Sequence, residues 1–281
     1  MEMTEEDLNE GDWDVLRGHF QTKRLLELAA AGFHAIVLVG PKDSDKAALA
    51  RSLLTILPTQ APFLAPCPSN SMARVIEQAT GGIVFLEDLE RWEEPSLAVL
   101  RETCLRSPGQ FLLVATTGYC PCGNYDDAVR DCSCFEREID AHQKRLRQTI
   151  DACFAIEAHI PSVNPNLAAR WGNEPSRIVR ARVEAARLIQ QQRNRAARHN
   201  SALSRTEIEE CSPLDTLAQK LRASTQAQLS LSAEQGRFLL QVARTAADLA
   251  CEYRTVSCVE GGHMAEAICC RPRWMRGAKL K

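Results

Sequence analysis

The sequence predicts an α/β fold in which a parallel sheet is sandwiched between helices and followed by an all-helical domain. Three observations carry that expectation. A β-branched apolar run at Ala35–Val39 meets a Gly-Pro turn and then a run rich in Ala, Leu and Arg, the pattern of strand, phosphate loop and helix. Further apolar runs at Gly82–Leu86 and Gln110–Thr116 alternate with helical patterns, as βαβ units do. From Pro175 onward every segment reads as helix.

Taken in order, residues 1–12 form an acidic lead-in, and Trp13–Ala31 has apolar residues at helical spacing with Gly32 as its C-cap. The first strand, the phosphate loop and a helix ending before Pro58 follow. The proline-rich stretch 58–70 reads as loop, Ser71–Ala79 as a short helix and Gly82–Leu86 as a buried strand that ends in Glu87-Asp88. Glu94–Ser107 is a helix, Gln110–Thr116 a third strand, 120–134 a cysteine-bearing loop, 136–152 a helix and 154–161 a short strand. A polar connection at 162–176 is the best place for a domain boundary. Helices are then expected at 175–198, 204–211, 213–222, 232–251 and 259–268, ahead of a basic tail.

At 281 residues, 45% hydrophobic and 25% charged, the chain has ordinary globular composition and can bury a large core in one domain plus a smaller one. A formal charge of −2 gives no general attraction to nucleic acid, so any such binding has to use local patches. The acidic N-terminus is unlike a signal peptide, and no apolar run approaches the roughly 18–20 residues of a membrane span. Without a secretory signal, twelve cysteines read as thiols or metal ligands rather than a disulfide framework. The cytoplasm is the expected compartment, with no membrane partner.

The spacing from Gly40 to Lys46 fits G-x4-G-K-[ST], in which backbone N–H groups cradle phosphates and the lysine reaches the β/γ oxygens. The candidate nucleotide-binding residues are therefore Gly40, Pro41, Lys42, Ser44, Asp45, Lys46 and Ala47. Two of them depart from the pattern: Asp45 stands where the second glycine belongs, and Ala47 where a hydroxyl would hold Mg²⁺.

Longer stretches resemble the magnesium-chelatase-like AAA+ ATPases, in particular the ComM/YifB group. They include GHFQTKRLLELAAAGFH, VLVGP with ALARSLLTILP, PFLAP, GGIVFLED, LLVATTGYCPCGNY, CSC, RVEAARLIQQQ, LSAEQGRFLLQVARTAADLA and the final RPRW. The resemblance implies a P-loop AAA+ αβα sandwich over 13–161, a linker at 162–174, a helical lid over 175–270 and a basic tail at 271–281. It implies ATP and Mg²⁺ as cofactors and assembly into a ring, and the ComM group is linked to DNA handling during natural transformation. The protease-like amino-terminal domain of ComM proteins is not expected in this chain. Two insertions that project toward the ring's pore are also expected to be absent, because Ser71–Thr80 and Arg106–Gln110 are too short to hold them.

The departures from the family pattern cluster at the nucleotide site. Where the family reads G-P-P-G-S-G-K-T, this chain has Gly40-Pro41-Lys42-Asp43-Ser44-Asp45-Lys46-Ala47, with two carboxylates near the phosphate position. At about 4 Å and an effective dielectric near 20, each carboxylate–phosphate pair repels by roughly 4 kcal/mol. Lys42 and Lys46 offset part of that. The family's Asp-Glu pair is reversed to Glu87-Asp88, the candidate catalytic acids, which shifts each carboxylate by about one methylene. Gly118 replaces the sensor asparagine, and Thr116 or Thr117 is left to supply a hydroxyl. Ala152-Cys153-Phe154-Ala155 aligns with the segment that carries a trans-acting arginine, a contribution of about 10³–10⁵ in rate. In the lid, Glu234 stands for an expected arginine; Arg237 and Arg244 are the remaining candidates for nucleotide contact.

Cys120-Pro-Cys122 and Cys132-Ser-Cys134, nine residues apart, could place four thiolates around Zn²⁺; a disulfide-linked loop and free thiols are the alternatives. The other cysteines read as small buried hydrophobes. The arginine-rich run Arg177–His199 is a candidate DNA contact and equally an exposed lid helix.

The chain is therefore expected to be a degenerate AAA+ protein with weakened ATP binding and lost hydrolysis. Its expected role is scaffold or regulator, in a homo- or hetero-oligomeric ring with an active paralogue. The alternative is an active ATPase in DNA processing that uses Lys46, Glu87 and Asp88. A zinc-stabilised nucleic-acid-binding module is a third reading.

Overall fold

The computed structural model describes residues 12, 13, 16, 18–58, 62–161, 174–251 and 257–272. Most of the lead-in, the connection 162–173 and the tail from 273 lie outside the described residues. Five parallel strands, β1 (Ile36–Val39), β2 (Phe63–Leu64), β3 (Ile83–Leu86), β4 (Leu112–Thr117) and β5 (Ile156–His159), form one sheet in the order β2-β3-β4-β1-β5. The register sets Ile36 opposite Val114 and Ile156, and Val39 opposite Thr117 and His159. With both faces covered, the strands are near-continuous apolar runs rather than alternating ones.

Alternate strand residues feed two separate cores. Ile36, Leu38, Ile83, Phe85, Leu112, Val114 and Ile156 pack against α1 (Phe20–Gly32) and α2 (Lys46–Ile56). Val37, Val39, Val84, Leu86, Leu113 and Ala115 face α3 (Met72–Gln78), α4 (Glu94–Arg106) and α5 (Glu136–Cys153). This is the αβα sandwich that the sequence predicts.

Among the described residues after 174 all regular elements are helical: α6 (Ser176–Arg193), α7 (Arg205–Glu210), α8 (Thr216–Leu229), α9 (Ala233–Ala250) and α10 (Gly261–Cys270), with short 3₁₀ turns at Arg195–Ala197 and Asn200–Ala202. An isolated parallel bridge, Leu214 to Val259, ties the start of α8 to that of α10. Ser204 and Ser232 open α7 and α9 with reciprocal capping boxes to Glu207 and Gln235. Val179, Val183, Leu240, Ala243 and Ala247 extend the α1/α2 core, so the helical region is built onto that face of the sandwich. Among the described residues no helix is long and apolar enough to cross a membrane.

Several elements differ from the sequence reading. The first helix begins at Phe20, after left-handed residues at Gly18 (φ 80°) and His19 (φ 52°); residues 14, 15 and 17 lie outside the described set. Trp13 is instead a buried anchor: its N–H donates to Ser176 Oγ at 3.0 Å and its indole to Ser52 Oγ at 3.1 Å. The left-handed cap of α1 is Phe33 (φ 58°), not Gly32. The stretch 58–70 holds an edge strand, because Phe63 and Leu64 pair with Ile83 and Val84; proline is tolerated beside such an edge. The helix expected over 175–198 stops at Arg193, where Asn194 turns extended (φ −85°, ψ 137°), and Ala196 at φ 56° keeps the following turn from resuming it. The helix expected over 213–222 runs from Thr216 to Leu229, because Asp215 caps it by accepting from the Ala218 N–H at 2.6 Å.

Candidate functional site

The phosphate loop joins the C-terminal end of β1 to α2, the position where open α/β sheets bind ligands. Its entry is sterically fixed: a Cβ at Gly40 would lie 2.4 Å from the Ile160 carbonyl oxygen, and the Gly40 N–H donates to Thr117 O at 3.1 Å. Lys46 is buried, and its ammonium donates to Pro41 O at 3.0 Å and Gly40 O at 3.4 Å. Ser44 Oγ donates to Pro41 O at 2.8 Å. Lys46 and Ser44 are thus turned inward on the loop's own carbonyls.

Both loop carboxylates have cationic or hydrogen-bonding partners. Asp45 accepts from His19 Nε2 at 3.0 Å. That hydrogen bond, more than the His19 charge and against partial burial, holds the Asp45 carboxyl below its ordinary range. Asp43 pairs with Arg130. Lys42 donates its backbone N–H to Gly123 O at 2.8 Å. Ala47, at the start of α2, has no side-chain oxygen to offer a metal.

The acidic pair does not converge on the loop as a unit. Glu87 is half exposed and pairs with Arg51 at 3.5 Å. Asp88 is left-handed (φ 50°), and its N–H donates to Thr116 Oγ1 at 3.0 Å. Glu90, which sequence reasoning missed, sets its carboxylate against the end of β4 beside the loop entrance. Thr117 Oγ1 donates to Glu90 Oε2 at 2.8 Å and the Gly118 N–H to Oε1 at 3.3 Å, while Thr117 O holds Gly40. Nothing in LEDLER distinguishes Glu90 from its acidic neighbours; a bend at Asp88 and a 3₁₀ turn at Leu89–Arg91 bring it round. His19 and Arg130 were also missed, since each meets its partner from a distant segment.

Arg237 and Arg244 lie elsewhere. Arg237 lines a small cavity with Phe33, Ala35 and Phe111, beside the starts of β1 and β4. It binds Glu234 at 2.5 Å and Leu203 O at 3.4 Å. Arg244 is buried in α9 against Asp248 at 3.0 Å. The phosphate loop is at the opposite ends of the strands, so the chain does not bring these arginines to it.

The four loop cysteines do come together. Their sulfurs all lie within 4.8 Å of one another, with Cys120–Cys122 at 3.4 Å and Cys122–Cys132 and Cys120–Cys132 at 3.6 Å. A tetrahedral tetrathiolate with zinc–sulfur bonds near 2.3 Å has edges of about 3.8 Å. A disulfide needs about 2.05 Å. The donor set and spacing therefore fit a closed four-thiolate metal centre. Burial raises the Cys122 thiol, but the N–H groups of Asn124 and Ser133 and the neighbouring thiols outweigh it and bring it to about 6; burial pushes Cys132 up to about 12. The loop is held from behind by α5, where His142 Nε2 donates to Gly118 O at 2.9 Å and Gln143 Nε2 to Tyr119 O at 3.2 Å.

The family model described as magnesium chelatase, subunit ChlI, matches residues 12–66 and 63–167, which is more than half of the chain. This chain belongs to that family. A second model, magnesium chelatase subunit ChlI C-terminal, matches residues 173–271. An uncharacterized protein YifB of Salmonella typhimurium is 27% identical over 307 residues, covering 91% of this chain and 59% of its own length. The competence protein ComM of Haemophilus influenzae is 28% identical over 304 residues, 89% of this chain and 58% of its own. An uncharacterized protein of Mycobacterium tuberculosis is 26% identical over 278 residues, 80% of this chain and 53% of its own. The chain thus spans under two thirds of the length of each of these relatives. In this ChlI-family chain the phosphate loop and the cysteine-bearing loop touch through Gly123 and Arg130.

Proposed function

We propose that the chain is a degenerate magnesium-chelatase/ComM-like P-loop protein. In this reading polyphosphate binding is weakened, ATP hydrolysis is lost, and the molecule serves as a scaffold or regulatory partner. The observation that carries the reading is Asp45. It puts a carboxylate at the N-terminus of α2, where the helix dipole and open N–H groups favour an anionic ligand, and His19 keeps it ionised. Ala47 cannot ligate Mg²⁺, and Lys46 is turned onto loop carbonyls. A ring with an active paralogue is the assembly that suits such a subunit, in the cytoplasm. Cys120, Cys122, Cys132 and Cys134 would hold zinc, and with all four positions filled by thiolate the metal is structural rather than catalytic.

Equilibrium binding of a fluorescent ATP analogue to wild type and Lys46→Ala, with and without Mg²⁺, tests this reading. Submillimolar affinity is not expected, and neither is dependence on Mg²⁺. Micromolar, Mg²⁺-dependent binding that Lys46→Ala abolishes, accompanied by phosphate release, would overturn it. That result would favour the second reading, an active ATPase in DNA processing. The Glu90–Thr117 pair is the observation on its side, since it sets a carboxylate beside the loop. Metal analysis of the purified chain should give about one zinc per chain, lost in Cys122→Ser.

A further inference from the structure

The loop that carries the four cysteines also grips the tip of the phosphate loop. Gly123 accepts the Lys42 N–H at 2.8 Å, and its own N–H closes a turn to Cys120 O at 3.1 Å. Gly123 has φ +79°, and a Cβ there would stand 3.0 Å from Lys42 Cβ, so the two backbones touch with no room for a side chain. Arg130 reaches the same tip through its ion pair with Asp43. Gly123 directly follows Cys122, and Arg130 lies two residues before Cys132. Both contacts therefore hang from cysteines of the cluster.

A phosphate loop binds by aiming successive backbone N–H groups and a lysine at one anion. Here the Lys42 N–H is taken by Gly123, and the Lys46 ammonium by Gly40 and Pro41. Opening the tip is the movement that would release these donors. A metal bound by the four thiolates opposes it, because it fixes the backbone on both sides of the grip.

We propose that metal in the cysteine cluster and polyphosphate at the phosphate loop are antagonistic ligands of one coupled pair of loops. The loaded cluster holds Gly123 and Arg130 against Lys42-Asp43 and keeps the phosphate loop shut. Loss of the metal frees the tip and exposes its donors. The inference rests on the reading above that the cluster takes zinc and that weak polyphosphate binding remains. Coupling between sites is reciprocal, so the factor by which zinc weakens polyphosphate binding is the factor by which polyphosphate weakens zinc binding.

The test uses the full chain in three forms: zinc-loaded wild type, chelator-stripped wild type and zinc-loaded Arg130→Ala. Each is titrated with the fluorescent ATP analogue, zinc content is read by elemental analysis, and fold by circular dichroism. Stripping is expected to tighten binding about tenfold, within the usual range of coupling between sites. Arg130→Ala is expected to recover part of that gain with its zinc still bound. Equal affinity in all three forms, or weaker binding after stripping of a still-folded chain, overturns the proposal. If stripping unfolds the chain, Arg130→Ala decides alone, and an unchanged affinity overturns it. Zinc bound without coupling defeats this inference only, whereas no zinc in the purified chain defeats the reading of the cluster as well.

Discussion

Asp45 shows how much one side chain can decide. A glycine at this position would let a phosphate approach the backbone; the aspartate adds bulk and a negative charge that His19 holds at 3.0 Å. The carboxylate is more than half exposed, so solvent screening cuts the unscreened repulsion of roughly 4 kcal/mol to about 1 kcal/mol. Asp45→Gly should therefore tighten polyphosphate binding about five- to tenfold in a direct titration. An unchanged affinity would mean that the inward-turned Lys46, and not the charge, limits binding. Glu90 makes the complementary point. Its neighbours Glu87 and Asp88 were the legible candidates because they follow the strand directly, yet one faces Arg51 and the other bends the chain.

At the scale of an element, α1 separates local propensity from packing. Gly32 reads as a helix terminator, but its φ is helical and Phe33 takes the left-handed cap. The glycine is there for closeness: a Cβ would fall 2.1 Å from His34 Nε2 and 2.5 Å from Thr245 Oγ1. On propensity alone Gly32→Ala gains about 1 kcal/mol. In this packing it forces α1 away from α9 and should instead lower stability by about 1–3 kcal/mol, a fall of several degrees in the thermal midpoint. A stabilised variant would show that the seam yields easily. Element ends were legible where a side chain caps locally, as at Ser204 and Ser232. The start of α1 was misjudged because the break there is a positive-φ residue with no compositional mark, His19.

At the scale of the molecule, the sandwich and the helical region meet through buried polar groups. Thr245 Oγ1 donates to Gln241 O, so it accepts from His34 Nε2 at 2.7 Å and from Asn200 Nδ2 at 2.9 Å. Asp248 accepts from Arg193, Arg244 and Asn200 in the same seam. His34 is fully buried, and burial, aided by the charges of His199 and Arg237, lowers its pKa to about 3. Between that value and the ordinary 6.5 the unfolded chain binds a proton that the folded chain does not. Stability therefore falls as pH drops through this window, by about 1.4 kcal/mol per unit for one such group. His199, lowered to about 4 by burial and by Arg187, acts in the same direction. Asp151, raised to about 6 by burial, acts against both. Urea midpoints at pH 5 and 6.5 should show the fall, and His34→Gln should flatten it by about one proton. An identical slope in the variant would mean that His34 is solvated.

The sequence by itself determined what depends on near neighbours. The apolar runs, the Gly-Pro turn and the helical run after it specify strand, loop and helix, and β-residues alternating between two cores follow from the pleat. The two Cys-x-Cys pairs likewise lie close enough in the chain for one loop to gather them. Only the tertiary structure decided which distant groups meet. His19 finds Asp45, Arg130 finds Asp43, Gly123 takes the Lys42 N–H, and Arg237 lies at the opposite ends of the strands from the phosphate loop. The physical reason is that local conformation is encoded by short-range sterics and hydrogen bonding. A contact between remote segments is fixed instead by how whole helices and loops pack on the sheet, which no single stretch of sequence records.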